Sequence, residues 1–371
     1  MTCFEEVKKN FGFGCMRLHM QGDEVDLVQF AQMVDEYLAA GFNYFDTARV
    51  YLGGKSETAL REGLVKRYPR ERFLLADKLS NALFQTAEEV RPLFQKQLES
   101  CGVEYFDFYL MHAQGKAYFE KFKNCRAYEQ ALELKAEGKI RHVGLSFHDK
   151  AEVLDEILTE YPQMEFVQLQ LNYMDYDDPA IQGRQCCEVC KKHGKPVIVM
   201  EPVKGGSLAQ LPEDALAYLT ALHGDSPAGY AIRAAAGYPG VFMVLSGMSD
   251  LAQMRDNVSI MKDYRPLDDR EQQAVAEVCR VLRSKNLIPC TACRYCTDGC
   301  PEHIAIPRLF SCLNSKNTYK GWNADYYYGV YTARNGKASE CIGCGKCEAA
   351  CPQHLPIRAL LKDVAKEFEK A

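Results

Sequence analysis

Eight cysteines near the end of the chain stand in two copies of one pattern, C-x2-C-x2-C-x3-C-P. Cys290, Cys293, Cys296 and Cys300 form the first copy, and Cys341, Cys344, Cys347 and Cys351 the second. Thiolates spaced two residues apart can reach around one face of a cubane, so the pattern predicts two [4Fe–4S] clusters. Two zinc sites would need C-x2-C pairs separated by a loop, a spacing that neither window has. A second set of chemically able side chains lies far upstream: Asp46, Tyr51, Lys78 and His112. Taken singly, each has a plain reading, with Asp46 as a helix cap, Lys78 as a solvated cation and His112 as a core histidine.

The elements that must position these residues can be read from periodicity. Short apolar runs recur at 11–18, 43–48, 72–79, 106–113, 140–147, 165–172, 195–202 and 240–247, and helical patterns lie between them. DLVQFAQMVDEYLAAG ends on Gly41 and TAEEVRPLFQKQLESCG on Gly102, which is how helices commonly stop. Eight strand–helix units in this order and length predict a (β/α)8 TIM barrel. A doubly wound open sheet is the competing architecture, but no G-x-G-x-x-G follows the first strand. On a barrel, Asp46 and Tyr51 fall after the second strand, Lys78 ends the third and His112 ends the fourth. All four therefore sit at the C-terminal rim, where barrel enzymes place their chemistry.

Two helical segments, 212–223 and 226–236, separate the seventh and eighth strands, and a helix at about 268–285 leads out of the barrel. Residues 286–289 form a short link. The two cysteine windows then superpose at a constant offset of 51 residues, each with a proline after its fourth cysteine, which marks a small pseudo-symmetric domain. The expected division is a barrel over 1–285 and a cluster-binding domain over 286–371.

That second domain resembles the bacterial two-cluster ferredoxin module, a small α+β fold, with a longer insert at 302–340. The resemblance implies that each fourth cysteine serves the other cluster. Cluster I would then take Cys290, Cys293, Cys296 and Cys351, and cluster II Cys341, Cys344, Cys347 and Cys300.

The barrel resembles the aldo-keto reductase family over roughly residues 8–262. FDTARVY is similar to the family's Asp-x4-Tyr element, LLADKL to its lysine strand and YLMHA to its histidine strand. The resemblance implies a catalytic tetrad of Asp46, Tyr51, Lys78 and His112. It implies an NAD(P)H-dependent oxidoreductase that reduces an aldehyde or ketone, or runs the alcohol reaction in reverse, with Tyr51 as proton donor. A tyrosine whose pKa is near 10 is a poor acid or base at neutral pH unless an adjacent ammonium stabilises the phenolate and a carboxylate holds that ammonium. A histidine can donate a hydrogen bond to the carbonyl oxygen as charge develops on it.

The resemblance extends to the cofactor. GLSFHD places Ser146 at the nicotinamide carboxamide, with Phe147 and His148 nearby, and FVQLQLN places Gln168 there. VMEPVKGG sets Met200 where many members stack an aromatic ring, and aligns Lys204, Gly205 and Gly206 with the phosphates. SGMSDLAQMRDN assigns Gly247, Ser249, Gln253 and Asn257 to the adenosine side. The segment 247–253 lacks the basic residues that usually grip a 2′-phosphate, and Arg255 is the nearest cation. NADP and NAD both stay open, with family habit leaning to NADP.

Composition sets the outer limits. The chain has 371 residues, 47% hydrophobic and 26% charged, which suits a soluble globular protein. A net charge of −5 gives no electrostatic case for nucleic acid or an anionic membrane. No apolar run approaches the roughly 18 residues of a membrane span, and MTCFEEVKKN does not read as a signal peptide. A cytoplasmic location follows, and there an odd total of 17 cysteines points to metal or redox chemistry rather than disulfides.

Of the remaining cysteines, Cys186, Cys187 and Cys190 share one helix and read as packing for want of a fourth ligand. Cys3, Cys15, Cys101, Cys125, Cys279 and Cys312 are isolated. His303 and His354 follow each CP, with a role beside the clusters or in capping. The aromatic insert 319–331, which holds Trp322, reads as packing. Three functions stay in view: a carbonyl reductase with an electron-transfer domain attached, an iron–sulfur electron-transfer component that uses the barrel as a docking platform, and a regulatory module. A hydride carries two electrons and a cluster usually passes one, and no flavin-binding pattern bridges the two. A redox partner protein is therefore the expected outlet for the clusters, beside a small carbonyl or alcohol substrate at the barrel.

Overall fold

The computed structural model describes residues 4–179, 181–285, 287–319 and 323–369. Cys3, Asn286 and Trp322 lie outside the described residues. The chain divides into two compact units, one of Met1–Pro202 with Ala228–Asp268 and the other of Val203–Pro227 with Asp269–Ala371. The second therefore takes in a segment between the seventh and eighth strands, and the helix Asp269–Ser284, as well as the cysteine-rich part.

The first unit is a closed barrel of eight parallel strands. They are β1 Phe11–Gly14, β2 Tyr44–Asp46, β3 Leu74–Leu79, β4 Phe106–Gln114, β5 Ile140–Phe147, β6 Val167–Gln170, β7 Val197–Met200 and β8 Val241–Gly247. Each strand pairs with its neighbour in the chain, and β8 closes onto β1. Register aligns Gly14 with Asp46, Asp46 with Ala76 and Ser146 with Gln168. All six residues of β3 are buried, as expected of a strand covered on both faces.

Inside the barrel, Tyr44, Leu74, Phe108, Leu110, Phe166, Ile198 and Met243 pack together, and Phe4 and Val7 add to them from the N-terminal segment. Gly144 belongs to this packing: a Cβ there would stand 2.6 Å from both the ring and the carbonyl of Phe166. The helix Leu27–Ala39 starts where the Asp26 carboxylate accepts the Gln29 amide at 3.0 Å, and the chain turns away at Gly41 with φ 89°. A capping box at Thr86 and Glu89 opens the run into Val90–Cys101, and Gly102 ends it at φ 72°.

One strand end and one added hairpin differ from expectation. β1 stops at Gly14, because Cys15–Arg17 curls into a 3₁₀ turn whose Cys15 carbonyl accepts the Ser56 hydroxyl at 2.8 Å. Apolar composition alone does not distinguish that turn from more strand. A small hairpin, Met20–Gln21 with Glu24–Val25, turns at Gly22 (φ 63°) before the first helix.

In the second unit the helix Glu213–Thr220 packs with Asp269–Ser284, and Lys285 pairs with Asp214 at 2.8 Å. The cysteine-rich part holds the helices Ile306–Tyr319, Asn323–Thr332, Lys346–Ala349 and Ile357–Phe368. No strand is assigned among its described residues, whose cysteine loops turn too often to run extended. Its core is built from Ile304, Ile306, Leu309, Phe310, Leu355, Ile357, Leu361 and Val364. The 51-residue repeat is visible in the backbone. Left-handed φ values recur at Ala292 (53°) and Gly343 (73°), Arg294 (70°) and Gly345 (78°), and His303 (51°) and His354 (50°). The amides of His303 and His354 donate to the carbonyls of Cys300 and Cys351 at 3.1 and 3.0 Å, so these histidines form the corner that follows each fourth cysteine. No helix among the described residues is long and apolar enough to cross a membrane.

Candidate functional site

At the C-terminal ends of β2, β3 and β4 the structure brings Asp46, Tyr51, Lys78 and His112 together, each no more than 9% exposed. Lys78 Nζ donates to Asp46 Oδ1 at 2.6 Å and to the Thr47 carbonyl at 2.6 Å. With two of its three N–H groups so engaged, the ammonium lies 4.8 Å from the centroid of the Tyr51 ring. Tyr51 meets His112 edge-on, with ring centroids 5.9 Å apart and planes at 82°.

Tyr51 is delivered by an unusual stretch of backbone. Leu52, Gly53 and Gly54 follow it with φ of 52°, 65° and 91°, a run of left-handed residues that two glycines make affordable. The segment is tied down by the Thr47 amide, which donates to the Ala76 carbonyl at 2.9 Å, and by a 2.7 Å contact between the Thr47 and Ser56 hydroxyls.

Burial, reinforced by the positive charges of Lys78 and His148, pushes His112 well below the usual histidine range. Its imidazole is therefore neutral at neutral pH. Ser80 Oγ lies 2.6 Å from its Nδ1. When that hydroxyl donates, the ring proton resides on Nε2 and makes His112 a hydrogen-bond donor. Ser80 and the Thr47 carbonyl are site residues that sequence reasoning missed. Ser80 stands two residues after Lys78, in extended backbone just past the end of β3, a spacing that could have flagged it. The Thr47 contact is made by backbone and leaves no trace in residue type.

Of the cofactor candidates, Ser146 and Gln168 are buried side by side in register on β5 and β6. The Ser146 hydroxyl accepts the Ala113 amide at 2.8 Å, and the Gln168 amide donates to Asp46 Oδ2 at 3.3 Å. Phe147 is buried at the end of β5. Met200 is half-buried at the end of β7, opposite Gln170. Gly247 ends β8, and Ser249 Oγ donates to the Arg17 carbonyl at 2.7 Å. Gln253 accepts the Ser249 amide at 2.9 Å, and Asn257 donates to Ser246 Oγ at 3.0 Å. Arg255 is engaged elsewhere, with its guanidinium bidentate on Glu36 at 2.6 and 2.9 Å.

Lys204, Gly205 and Gly206 form a 3₁₀ turn that belongs to the second unit, with Lys204 buried and all three at positive φ. Gly205 sits against the cysteine-rich part: a Cβ there would lie 2.3 Å from the carbonyl oxygen of Thr291, the residue after Cys290.

The eight cysteines line two cavities. One is walled by Cys290, Cys293, Cys296 and Cys351, with Ile357 and Phe310. The other is walled by Cys300, Cys341, Cys344 and Cys347, with Ile342 and Leu361. Ile306 lines both. The fourth cysteine of each copy thus joins the first three of the other. Among the described residues no group of three or more ligating side chains converges on a point that would hold a single ion. Four cysteines lining each cavity suit the cubane that the C-x2-C-x2-C-x3-C-P spacing predicts.

Cys186, Cys187 and Cys190 are buried on the helix Gly183–Lys192, and burial pushes the Cys186 and Cys187 thiols up to about 12. They are neutral packing groups, as expected. Cys15, Cys101, Cys125, Cys279 and Cys312 are buried and form no disulfide.

Comparison with known proteins agrees with this architecture. Residues 10–280 match the Aldo/keto reductase family, and residues 289–356 match the 4Fe-4S dicluster domain. A 9,11-endoperoxide prostaglandin H2 reductase from Trypanosoma cruzi is 28% identical over 224 residues, covering 60% of this chain and 72% of that protein. A glyoxal reductase from Bacillus subtilis is 26% identical over 225 residues, covering 60% and 73%. Among solved structures, a Bacillus halodurans aldo-keto reductase in its holo form superposes with TM-score 0.58 at 24% identity, over 72% of this chain and 91% of that one. A Klebsiella pneumoniae aldo-keto reductase in complex with NADPH gives 0.59 at 19%, over 73% and 90%, a likeness of fold. The chain belongs to the aldo/keto reductase family, and it is an NAD(P)-dependent oxidoreductase whose barrel is followed by a 4Fe-4S dicluster domain.

Proposed function

We propose that the barrel reduces the carbonyl of a small aldehyde or ketone, with Tyr51 as the proton donor. The observation that carries this reading is the buried contact of Lys78 with Asp46 at 2.6 Å, with Tyr51 beside the same ammonium. NADPH or NADH, when bound, supplies the hydride. Tyr51 gives its phenolic proton to the carbonyl oxygen, and Lys78 stabilises the phenolate left behind. Asp46 and the Thr47 carbonyl fix Lys78 in place. His112, a neutral donor, holds the carbonyl oxygen and answers the charge that develops on it.

Ser146 and Gln168, a buried hydroxyl and amide in adjacent register, fit the polar edge of a carboxamide. Met200, Lys204, Gly205, Gly206, Gly247, Ser249, Gln253 and Asn257 complete the cofactor site in this reading. The lean to NADP rests on family habit, since Arg255 is held by Glu36. The cysteine cavities fit two clusters, with Cys290, Cys293, Cys296 and Cys351 holding one and Cys341, Cys344, Cys347 and Cys300 the other. These groups, when present, supply one-electron steps. A redox partner protein is their proposed outlet, because carbonyl reduction by hydride needs no such centre. Residues 1–285 serve as the reductase and 286–371 as the cluster domain, and the protein works in the cytoplasm.

The test is anaerobic purification with an absorbance spectrum and iron count, then cofactor-oxidation screening over aldehydes, ketones and quinones, repeated with Tyr51→Phe. The variant should lose most turnover while binding NAD(P)H as before. Full turnover in it would exclude Tyr51 as the donor.

A further inference from the structure

The two cysteine loops share one pattern, yet their surroundings differ. At the offset of 51 residues, Ile342 stands where Thr291 does, Gly343 where Ala292 does, Cys344 where Cys293 does and Gly345 where Arg294 does. Thr291 is 2% exposed and Ile342 63%. Cys293 is half-buried, whereas Cys344 is exposed. The turn Lys204–Gly206 covers the first loop, so closely that a Cβ at Gly205 would stand 2.3 Å from the Thr291 carbonyl oxygen. At Gly343 an added Cβ would meet open space among the described residues. Glycines at 343 and 345 also spare the second loop the side chains that Ala292 and Arg294 give the first.

Ile342 and Cys344 wall the cavity they share with Cys300, Cys341 and Cys347, so this loop has the cluster site on one side and solvent on the other. It is braced from within the domain. Arg358, ion-paired with Glu348 at 2.7 Å, donates to the Gly343 carbonyl at 3.4 Å. An exposed isoleucine is by itself ordinary on a protein surface. What sets Ile342 apart is that it belongs to a ligand loop. Electrons pass between proteins by tunnelling, whose rate falls steeply with the distance between centres. A carrier protein must therefore approach a cluster with as little chain as possible in between. The turn over the first loop holds a carrier off there, and nothing similar stands over Gly343. Ile306 lines both cavities, so one side chain spans the step from either cluster site to the other.

We propose that the loop Cys341–Gly345 is the electron port of this protein, where a one-electron carrier protein docks, and that the site of Cys290, Cys293, Cys296 and Cys351 is the inner one. This rests on the reading of the clusters as serving a redox partner. In each encounter one electron crosses between the carrier's centre and the cluster site behind Ile342. One centre is oxidised and the other reduced by that electron, with no bond formed or broken and no proton moved. Exchange past Ile306 with the inner site resets the port, so two encounters move two electrons.

The test uses the full-length holoprotein, with its two paramagnetic signals assigned by Cys293→Ser and Cys344→Ser. In partly reduced samples, dissolved dysprosium–EDTA should speed relaxation of the signal that Cys344→Ser perturbs well beyond that of the other. Equal effects on both signals would overturn the proposal. Cytochrome c, a strongly basic one-electron acceptor, then serves as the protein probe in stopped-flow oxidation of the reduced protein at low salt. Its rate should rise about threefold in Ile342→Glu and fall about threefold in Ile342→Lys, while Ala292→Glu and Ala292→Lys stay close to the parent. Charge sensitivity at Ala292 in place of Ile342 would put the port at the other cluster and overturn the assignment, leaving the partner reading intact. Should an Ile342 variant lose iron, Lys346→Glu, at an exposed site two residues beyond Cys344, must raise the rate or the proposal fails. A dysprosium response that emerges only on dilution would show a second copy of the chain on the loop and refute the port. If ferricyanide oxidises both clusters and cytochrome c neither, the partner reading itself fails, and the port with it.

Discussion

Lys78 and Asp46 form an ion pair that is almost wholly buried, Nζ to Oδ1 2.6 Å, with side-chain exposures of 1% and 6%. A pair so placed contributes little net stability, because desolvation offsets its Coulomb attraction, but removing one partner strands the other charge. Asp46→Asn should therefore cost about 3–5 kcal/mol of stability. Without the carboxylate that holds it, Lys78 is no longer fixed beside Tyr51, so kcat should fall by about 10²–10⁴, with cofactor affinity nearly unchanged. Steady-state kinetics beside a fluorescence titration of NAD(P)H checks this. A fall in affinity that matches the fall in kcat would place Asp46 in cofactor binding instead.

A second prediction follows from the cavity walls. Cys351 lies in the wall that holds Cys290, Cys293 and Cys296, although in sequence it belongs with Cys341, Cys344 and Cys347. Cys351→Ser and Cys293→Ser should perturb the same cluster signal in electron paramagnetic resonance, and Cys300→Ser and Cys344→Ser the other. A Cys351→Ser variant that altered the signal sensitive to Cys344 would refute the crossed arrangement.

Much of this was legible in the residues, and the exceptions have physical causes. The eight strands were readable because each is a short apolar run set between helical patterns. The candidate tetrad was legible because Asp46, Lys78 and His112 stand at or near the ends of β2, β3 and β4, and Tyr51 follows shortly after β2. Leu52 at φ 52° was not, since nothing in the type of a leucine announces a left-handed turn. The assignment of 203–227 to the second unit is tertiary. It depends on packing of Glu213–Thr220 with Asp269–Ser284 and on the approach of Gly205 to Thr291.

A third prediction concerns pH and stability in β5. His142 Nε2 lies 2.6 Å from Glu6, and its Nδ1 lies 3.0 Å from Glu165, which also pairs with Lys135. Burial works against charging His142, but the two glutamates outweigh it and hold the imidazole above the usual histidine range. Burial would likewise raise Glu165, yet His142 and Lys135 bring it down to about 2. A raised folded-state value means that the histidine's contribution is full below the unfolded pKa of about 6.5. It is lost as pH climbs through the folded value. His142→Gln should therefore melt below the parent at pH 6, with the gap closing above pH 8. A gap that widens with pH would show that the imidazole acts here as a neutral group.

The last prediction concerns the turn after β7. Gly205 has φ 66°, a conformation costly for any residue with a side chain, and its missing Cβ would overlap the Thr291 carbonyl at 2.3 Å. Gly206, at φ 100°, has open space where its Cβ would be. Gly205→Ala therefore meets both strain and collision, whereas Gly206→Ala meets strain alone. The collision falls one residue from Cys290, so it must be relieved by shifting the loop that carries this ligand or by lifting the turn away. Gly205→Ala should lose iron preferentially from the cavity lined by Cys290 and leave the other cluster signal intact, and Gly206→Ala should retain both. Iron content and paramagnetic resonance of the reduced protein distinguish the outcomes. Equal loss of both clusters in Gly205→Ala would mean that the contact supports the whole unit, and full retention would mean that the turn yields before the cysteine loop does.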